Sequence, residues 1–466
     1  MGTEEDARAP GGGPARPSVQ DPLVRGQARA RFALLRMSPA KLLLMGYVSY
    51  ILLGWVLLSL PVAQAERIGA IDNLFIATSA VSTTGLVTVD PGSSYTFFGE
   101  LVILALIQVG GLGYMTLGSF IVLSVTSNMG RVRERATQKV FNLPDAISPR
   151  SFVMSVVLFT VVVQALGALA LWAMFRAEGV ENAGWSAIFH AISAFCTAGF
   201  SLNATSFEGF RDHVGINAVL SALSILGAMG FLIVLDMARH LTGRASHLGF
   251  TSKVIVRITL MFLLIGTVIL YLLEPTLTAL PPSERLMAAF FQLMTASTTV
   301  GFNTHPIGAL SSAILVLMFF LMVIGASPAG TGGGLKTTTF AALMGLVRST
   351  LKGRDRIRFF KREIALERLQ NATASFAYYM AIASVAAFLL LLSEPVAAFE
   401  VVLFEVFSAM GTVGLSMGLT GELSDLGKLI VIVLMTAGRI GILTFGIALA
   451  SHDESREEEK DNELVM

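Results

Sequence analysis

Four times along the chain a threonine is followed two positions later by a glycine and then by an apolar residue. The copies are Thr83-Thr84-Gly85-Leu86, Thr197-Ala198-Gly199-Phe200, Thr299-Val300-Gly301-Phe302 and Thr412-Val413-Gly414-Leu415. They recur at a period of about 110 residues, which marks an internal repeat. The chemistry open to such a set is coordination by backbone. Rings of carbonyl oxygens replace the hydration shell of an alkali cation. Glycine admits positive φ and leaves no side chain to narrow a hole, and the threonine adds a hydroxyl and a carbonyl one step deeper. A single copy reads as a helix ended by a glycine cap. Four copies, each lying between two long apolar runs, read as four loops around one axis.

The elements that must position these loops are apolar. The chain has 466 residues, 54% hydrophobic and 14% charged, against about 25% charged in a soluble domain. Long apolar runs at Lys41–Leu60, Phe97–Val125, Ser151–Phe175, Gly215–Asp236, Val254–Leu273, Ser311–Val347, Thr373–Leu392 and Leu426–Ala450 reach the ~20 residues that cross a bilayer. Short ones at Ile71–Thr83, Trp185–Thr197, Glu284–Thr299 and Ala397–Gly411 do not, and they read as re-entrant helices. The expected fold is an all-α polytopic membrane protein. It has four membrane–pore-loop–membrane repeats, eight spans and four re-entrant pore helices around a central ion pathway, like a potassium channel.

The expected units are a disordered basic tail over 1–38, repeats over 39–130, 151–240, 253–350 and 371–450, and an acidic tail over 451–466. Basic residues crowd the inter-repeat stretches, with Arg131, Arg133, Arg135, Lys139 and Arg150 in the first, Arg239, Arg244 and Lys253 in the second, and Arg348 to Arg368 in the third. The positive-inside rule therefore puts both termini in the cytoplasm and brings the four short segments in from outside. The net charge of +1 follows this topology and points to no nucleic acid. One cysteine, Cys196, allows no intrachain disulfide.

Two features break the fourfold pattern. The last run of repeat three is interrupted by Gly325-Ala326-Ser327-Pro328-Ala329-Gly330-Thr331-Gly332-Gly333-Gly334-Leu335-Lys336. Glycine costs about 1 and proline about 3 kcal/mol relative to alanine in a helix, so the break must face an aqueous path. It is expected below the third loop, as a mobile gate; a static kink is the other reading. Gly330 to Thr337 imitates a phosphate-binding loop, but Leu335 stands where glycine should precede Lys336. No nucleotide is expected on this chain. The second feature is Arg439, flanked by Gly438 and Gly441 within the last run. A charge there is costly and must face the interior; it is expected to pair with gate-loop carbonyls and add a barrier when the gate is closed, and a structural arginine tying helix ends together is the other reading.

Taken with Ser82 and Cys196 before the first two motifs, Thr298 with Asn303-Thr304 around the third and Met410-Gly411 before the fourth, the chain resembles the Trk, Ktr and HKT potassium transporters over about Lys41–Ala450. Eight spans with no additional N-terminal pair resemble KtrB-type subunits. The resemblance implies K+ as the carried ion, bound at the filter only, since all four filter positions are glycine. It implies Gly325, Ala326, Ser327, Pro328, Gly330, Thr331, Gly332, Gly333, Gly334 and Lys336 as the gate, with Arg439 beside it. It further implies a membrane homodimer, a cytoplasmic nucleotide-binding ring of the KtrA kind, and a bacterial inner (plasma) membrane. The alternatives are a Na+-coupled or Na+-permeable transporter of the same architecture, and a membrane-embedded enzyme. The second lacks a paired acid and base or a metal cluster in the sequence. His305, after the third motif, is read as a solvated histidine at the outer mouth. His190, Glu400 and Glu405 are read as hydrogen-bonding within the bundle.

Overall fold

The computed structural model describes residues 39–126, 149–243, 246–325, 327–328, 330–354, 356–359 and 362–450. Both expected tails, the basic residues Arg131 to Lys139, Arg244, and Ala326 of the expected gate lie outside them.

The order long helix, short helix, long helix recurs four times. The first set is α1 (Pro39–Leu58), α2 (Ala70–Ser82) and α3 (Phe97–Thr126). The second is α4 (Pro149–Ala177), α5 (Ala183–Phe195) and a broken pair, α6 (Val214–Met229) with α7 (Phe231–Leu241). The third is α8 (Phe250–Leu273), α9 (Pro282–Thr298) and α10 (Ser312–Val323), which resumes after a loop as α11 (Thr337–Thr350). The fourth is α12 (Leu366–Ser393), α13 (Phe399–Gly411) and a second broken pair, α14 (Asp425–Ile440) with α15 (Ile442–Leu449). A short hairpin of two-residue strands, β1 (Arg358–Phe359) against β2 (Arg362–Glu363), lies between α11 and α12.

Among the described residues, four helices are long and apolar enough to cross a membrane: Ala40–Leu58, Met154–Ala177, Phe250–Leu273 and Leu366–Ser393. The number rises to six if each bent pair is one span. The runs Gly215–Asp236 and Leu426–Ala450, expected unbroken, are bent by 106° at Gly230 and by 107° at Gly441. Both glycines have positive φ, 78° and 93°, which no β-branched neighbour could adopt cheaply.

Packing is inverted relative to a soluble protein. The long helices turn large apolar side chains outward, as Leu53, Val56, Leu158, Leu166, Leu264 and Phe388 do. The short helices bury polar groups with small apolar ones on their inner faces: Thr78 and Ser79, His190 and Ser193, Gln292 and Thr295, Glu405 and Ser408 are almost fully inaccessible. Lipid accepts the first set at no cost, whereas the second must find partners inside the protein.

Candidate functional site: a ring of four glycine loops

Each short helix ends by running into its motif threonine, directly in three sets and after Cys196 in the second. Thr83, Thr197, Thr299 and Thr412 have φ of 50°, 51°, 60° and 49°. A helix usually ends in this left-handed region on glycine. For a β-branched residue it is an outlier, of order 1–3 kcal/mol, that persists only where the surroundings impose it. The imposing contacts repeat: the N–H groups of Thr84, Ala198, Val300 and Val413 donate to the carbonyls of Ser79, Ser193, Thr295 and Ser408 at 2.9, 2.8, 3.2 and 2.8 Å.

The motif glycines face one another. A Cβ on Gly85 would meet the carbonyl oxygen of Ala198, one on Gly199 that of Val300, one on Gly301 that of Val413, and one on Gly414 that of Thr84. The contacts run from first loop to second, second to third, third to fourth, and back to the first. The four loops therefore close into a ring, and the carbonyl preceding each glycine lies on it. All four glycines have positive φ, between 69° and 95°, so any side chain there is both strained and obstructed. The apolar residues that follow, Leu86, Phe200, Phe302 and Leu415, are buried and anchor the ring from behind.

The motif hydroxyls divide into two pairs. The Thr83 and Thr299 hydroxyls are buried without a hydrogen-bond partner. The other two meet the glycine-rich loop between α10 and α11. The Thr197 hydroxyl lies 3.1 Å from that of Thr331, and Thr412 Oγ1 accepts from the Gly333 N–H at 3.0 Å. The loop was expected beneath the third motif, yet its hydrogen bonds run to the second and fourth.

The same loop is pinned to the break between α6 and α7. The Ser327 hydroxyl donates to the carbonyls of Ala228 and Met229. The Thr331 N–H donates to the Gly227 carbonyl at 3.0 Å, and its hydroxyl to that of Phe195 at 3.1 Å. Gly325 packs on the Gly333 carbonyl and Gly330 on that of Ala228, approaches a Cβ would forbid. Lys336 Nζ donates to the Gly332 carbonyl at 2.6 Å. Arg439, 4% exposed, donates to the Thr331 carbonyl and, at 2.5 Å, to that of Gly110 on α3. No carboxylate neutralises it among the described ion pairs.

His305 is not the solvated histidine expected. It is 7% exposed, with Nε2 2.9 Å from the Thr276 hydroxyl. Glu400 is exposed, outside the bundle interior. Gln292, to which sequence reading gave no role, is fully buried behind the third loop. Its signal was its place on the short helix, matching His190 and Glu405.

Residues 49–460 match the TrkH family, described as cation transport protein. The chain is 35% identical to Ktr system potassium uptake protein B of Bacillus subtilis, over 92% of this chain and 97% of that protein. It is 36% identical to the potassium/sodium uptake protein NtpJ of Enterococcus hirae, over 89% and 93%. The crystal structure of the potassium transporter TrkH from Vibrio parahaemolyticus shares the fold, with a TM-score of 0.66 at 21% identity, covering 87% of this chain and 84% of that one. The chain is therefore a multi-pass membrane protein of the TrkH family of cation transport proteins, not an enzyme.

Proposed function

We propose that this chain is the ion-translocating membrane subunit of a potassium uptake system. The observation that carries the reading is the closed ring of four glycines with a carbonyl beside each. A dehydrated K+ exchanges its water for such oxygens, and the left-handed threonines hold the loops in the conformation this requires. The eight-span arrangement follows. α1, α3, α4, α8, α10 with α11, and α12 cross, each bent pair supplies one more crossing, and the short helices enter from outside as pore helices. The apolar outer faces and buried polar short helices support it.

The glycine-rich loop acts as the gate, with Arg439 as its latch. Support comes from the hydrogen bonds that join the loop to two motif threonines and to the α6–α7 break. Support comes also from an Arg439 charge that would repel a cation beside it. Transport is regulated by a separate nucleotide-binding ring docked on a membrane homodimer. The word "system" in the name of the Bacillus subtilis relative supports an assembly of several components. The basic stretch Arg348–Arg368 is the candidate docking surface, with anionic lipid as the other reading of its charge.

A second reading is favoured by the name of the Enterococcus hirae relative, which couples potassium with sodium. Uptake in cells stripped of their own potassium systems separates the two, with K+ and Na+ supplied alone and together. Wild type is expected to restore growth on low K+. Gly85→Ser and Gly301→Ser are expected to admit more Na+ relative to K+. Unchanged selectivity in both would remove the filter assignment.

A further inference from the structure

One position on the short helices recurs beside the ring without belonging to it. Nine residues before each ring glycine stand Ile76, His190, Gln292 and Glu405, and all four are fully buried. Three of them are polar. Each of the three reaches from its helix to the segment that leaves the ring.

His190 Nδ1 lies 2.8 Å from the Ser186 carbonyl. That places the proton on Nδ1 and leaves Nε2 to accept. It accepts from the Leu202 N–H at 3.2 Å and the Ser201 hydroxyl at 3.0 Å. Gln292 Nε2 donates to the His305 carbonyl at 2.6 Å. The Glu405 carboxylate accepts from the Ser416 hydroxyl at 2.9 Å and from that of Thr420. Ser201 and Ser416 occupy the same place, two residues past Gly199 and Gly414. In the first set Ile76 can make no such bond. There the limb is tied one turn earlier, where the Tyr95 hydroxyl donates to Asn73 Oδ1 at 2.8 Å.

We infer that His190, Gln292 and Glu405 are positioning residues, which staple the outgoing limbs of loops two to four to their helices and so hold the carbonyl ring at the spacing that favours K+ over Na+. The inference rests on the filter reading above. Its physical ground is that backbone oxygens cannot hold a spacing by themselves. Cavity size and the field of the carbonyl dipoles both depend on where the oxygens sit, and a supporting shell of side chains fixes that. The three staples use a neutral imidazole, an amide and a carboxyl group at one register position. What the repeats share is therefore the bond, while its chemistry varies.

The test uses the full chain in liposomes, with the K+:Na+ flux ratio as readout. Gln292→Leu is near-isosteric, and it and Glu405→Leu are each expected to lower the ratio about three- to tenfold, the range set by one or two lost hydrogen bonds. Glu405→Gln, which can still engage both hydroxyls, is expected to restore it. Ile76→Val loses buried volume but no hydrogen bond and is expected to keep the wild-type ratio. If Glu405→Leu does not fold, Ser416→Ala removes the same bond from the other side. A wild-type ratio in folded Gln292→Leu and in Glu405→Leu or Ser416→Ala overturns the inference. Should Gly301→Ser still shift the ratio in that event, the filter stands and only the staples fall. If Gly301→Ser changes nothing either, the filter reading has failed.

Discussion

Replacing Arg439 by methionine keeps most of the side-chain stem and deletes the charge. Two hydrogen bonds disappear, to the carbonyls of Thr331 and Gly110. Only the first restrains the glycine-rich loop. A hydrogen bond to a charged group contributes about 1.5–3 kcal/mol, and the Thr331 carbonyl it leaves behind is in a residue 6% exposed. If the closed loop is the arrangement described here, it loses that amount relative to the open one. The open-to-closed ratio should then rise about 10- to 150-fold. Removing a cation beside the pathway acts in the same direction. The assay is K+ flux into liposomes carrying the full chain without partners, where a mostly closed wild type leaves room for an increase. Flux within about twofold of wild type, in protein of unchanged melting temperature, would refute the latch; a twofold change is about 0.4 kcal/mol, far below one such bond.

Other outcomes follow from the same geometry. Thr197→Val together with Thr412→Val should also raise basal flux, since the loop loses both contacts to the ring; unchanged flux would separate loop from ring. Gly414→Ala combines a φ of 87° with a collision against the Thr84 carbonyl, and should abolish flux and reduce folded yield, read by size exclusion. Lys428 Nζ joins α14 to Asp72 on α2 at 2.8 Å, with both side chains largely shielded; Asp72→Asn should lower stability by about 1–3 kcal/mol, measured as a melting shift in detergent. Burial, then the neighbouring Arg211, hold the His305 pKa below its ordinary 6.5, while Glu274 opposes them. Because the folded value is the lower one, this stability is present above pH 6.5 and is lost as pH falls through the folded pKa. His305→Gln should flatten that decline in the melting profile.

The four motifs, the long–short–long order and the glycine-rich break were legible because each is a local pattern: a residue spacing, an apolar run, a cluster of helix breakers. The bends at Gly230 and Gly441 were not. Each is one of several glycines inside its apolar run, and the neighbouring Gly227 and Gly438 stay helical. What distinguishes them is their backbone conformation in the folded chain, which composition does not report. The partners of the glycine-rich loop were hidden for a related reason. They lie in other repeats, and Thr197 and Thr331 are joined across 134 residues. His305 misled because a loop of short polar residues reads as solvated. The fold instead folds it back over Thr276 and ties its carbonyl to Gln292.

The ring closes between its fourth and first loops as it does between the others, and all four come from one polypeptide. A ring assembled from four identical chains would change at every corner when one codon changes. Here a codon alters one quarter. Gly85, Gly199, Gly301 and Gly414 are therefore encoded singly, and the threonine hydroxyls beside them, alike in sequence, already differ in their contacts: those of Thr197 and Thr412 meet the glycine-rich loop, while those of Thr83 and Thr299 have no hydrogen-bond partner. On the proposed filter reading, one corner of the ring can be tied to control while the other three keep their carbonyls in place.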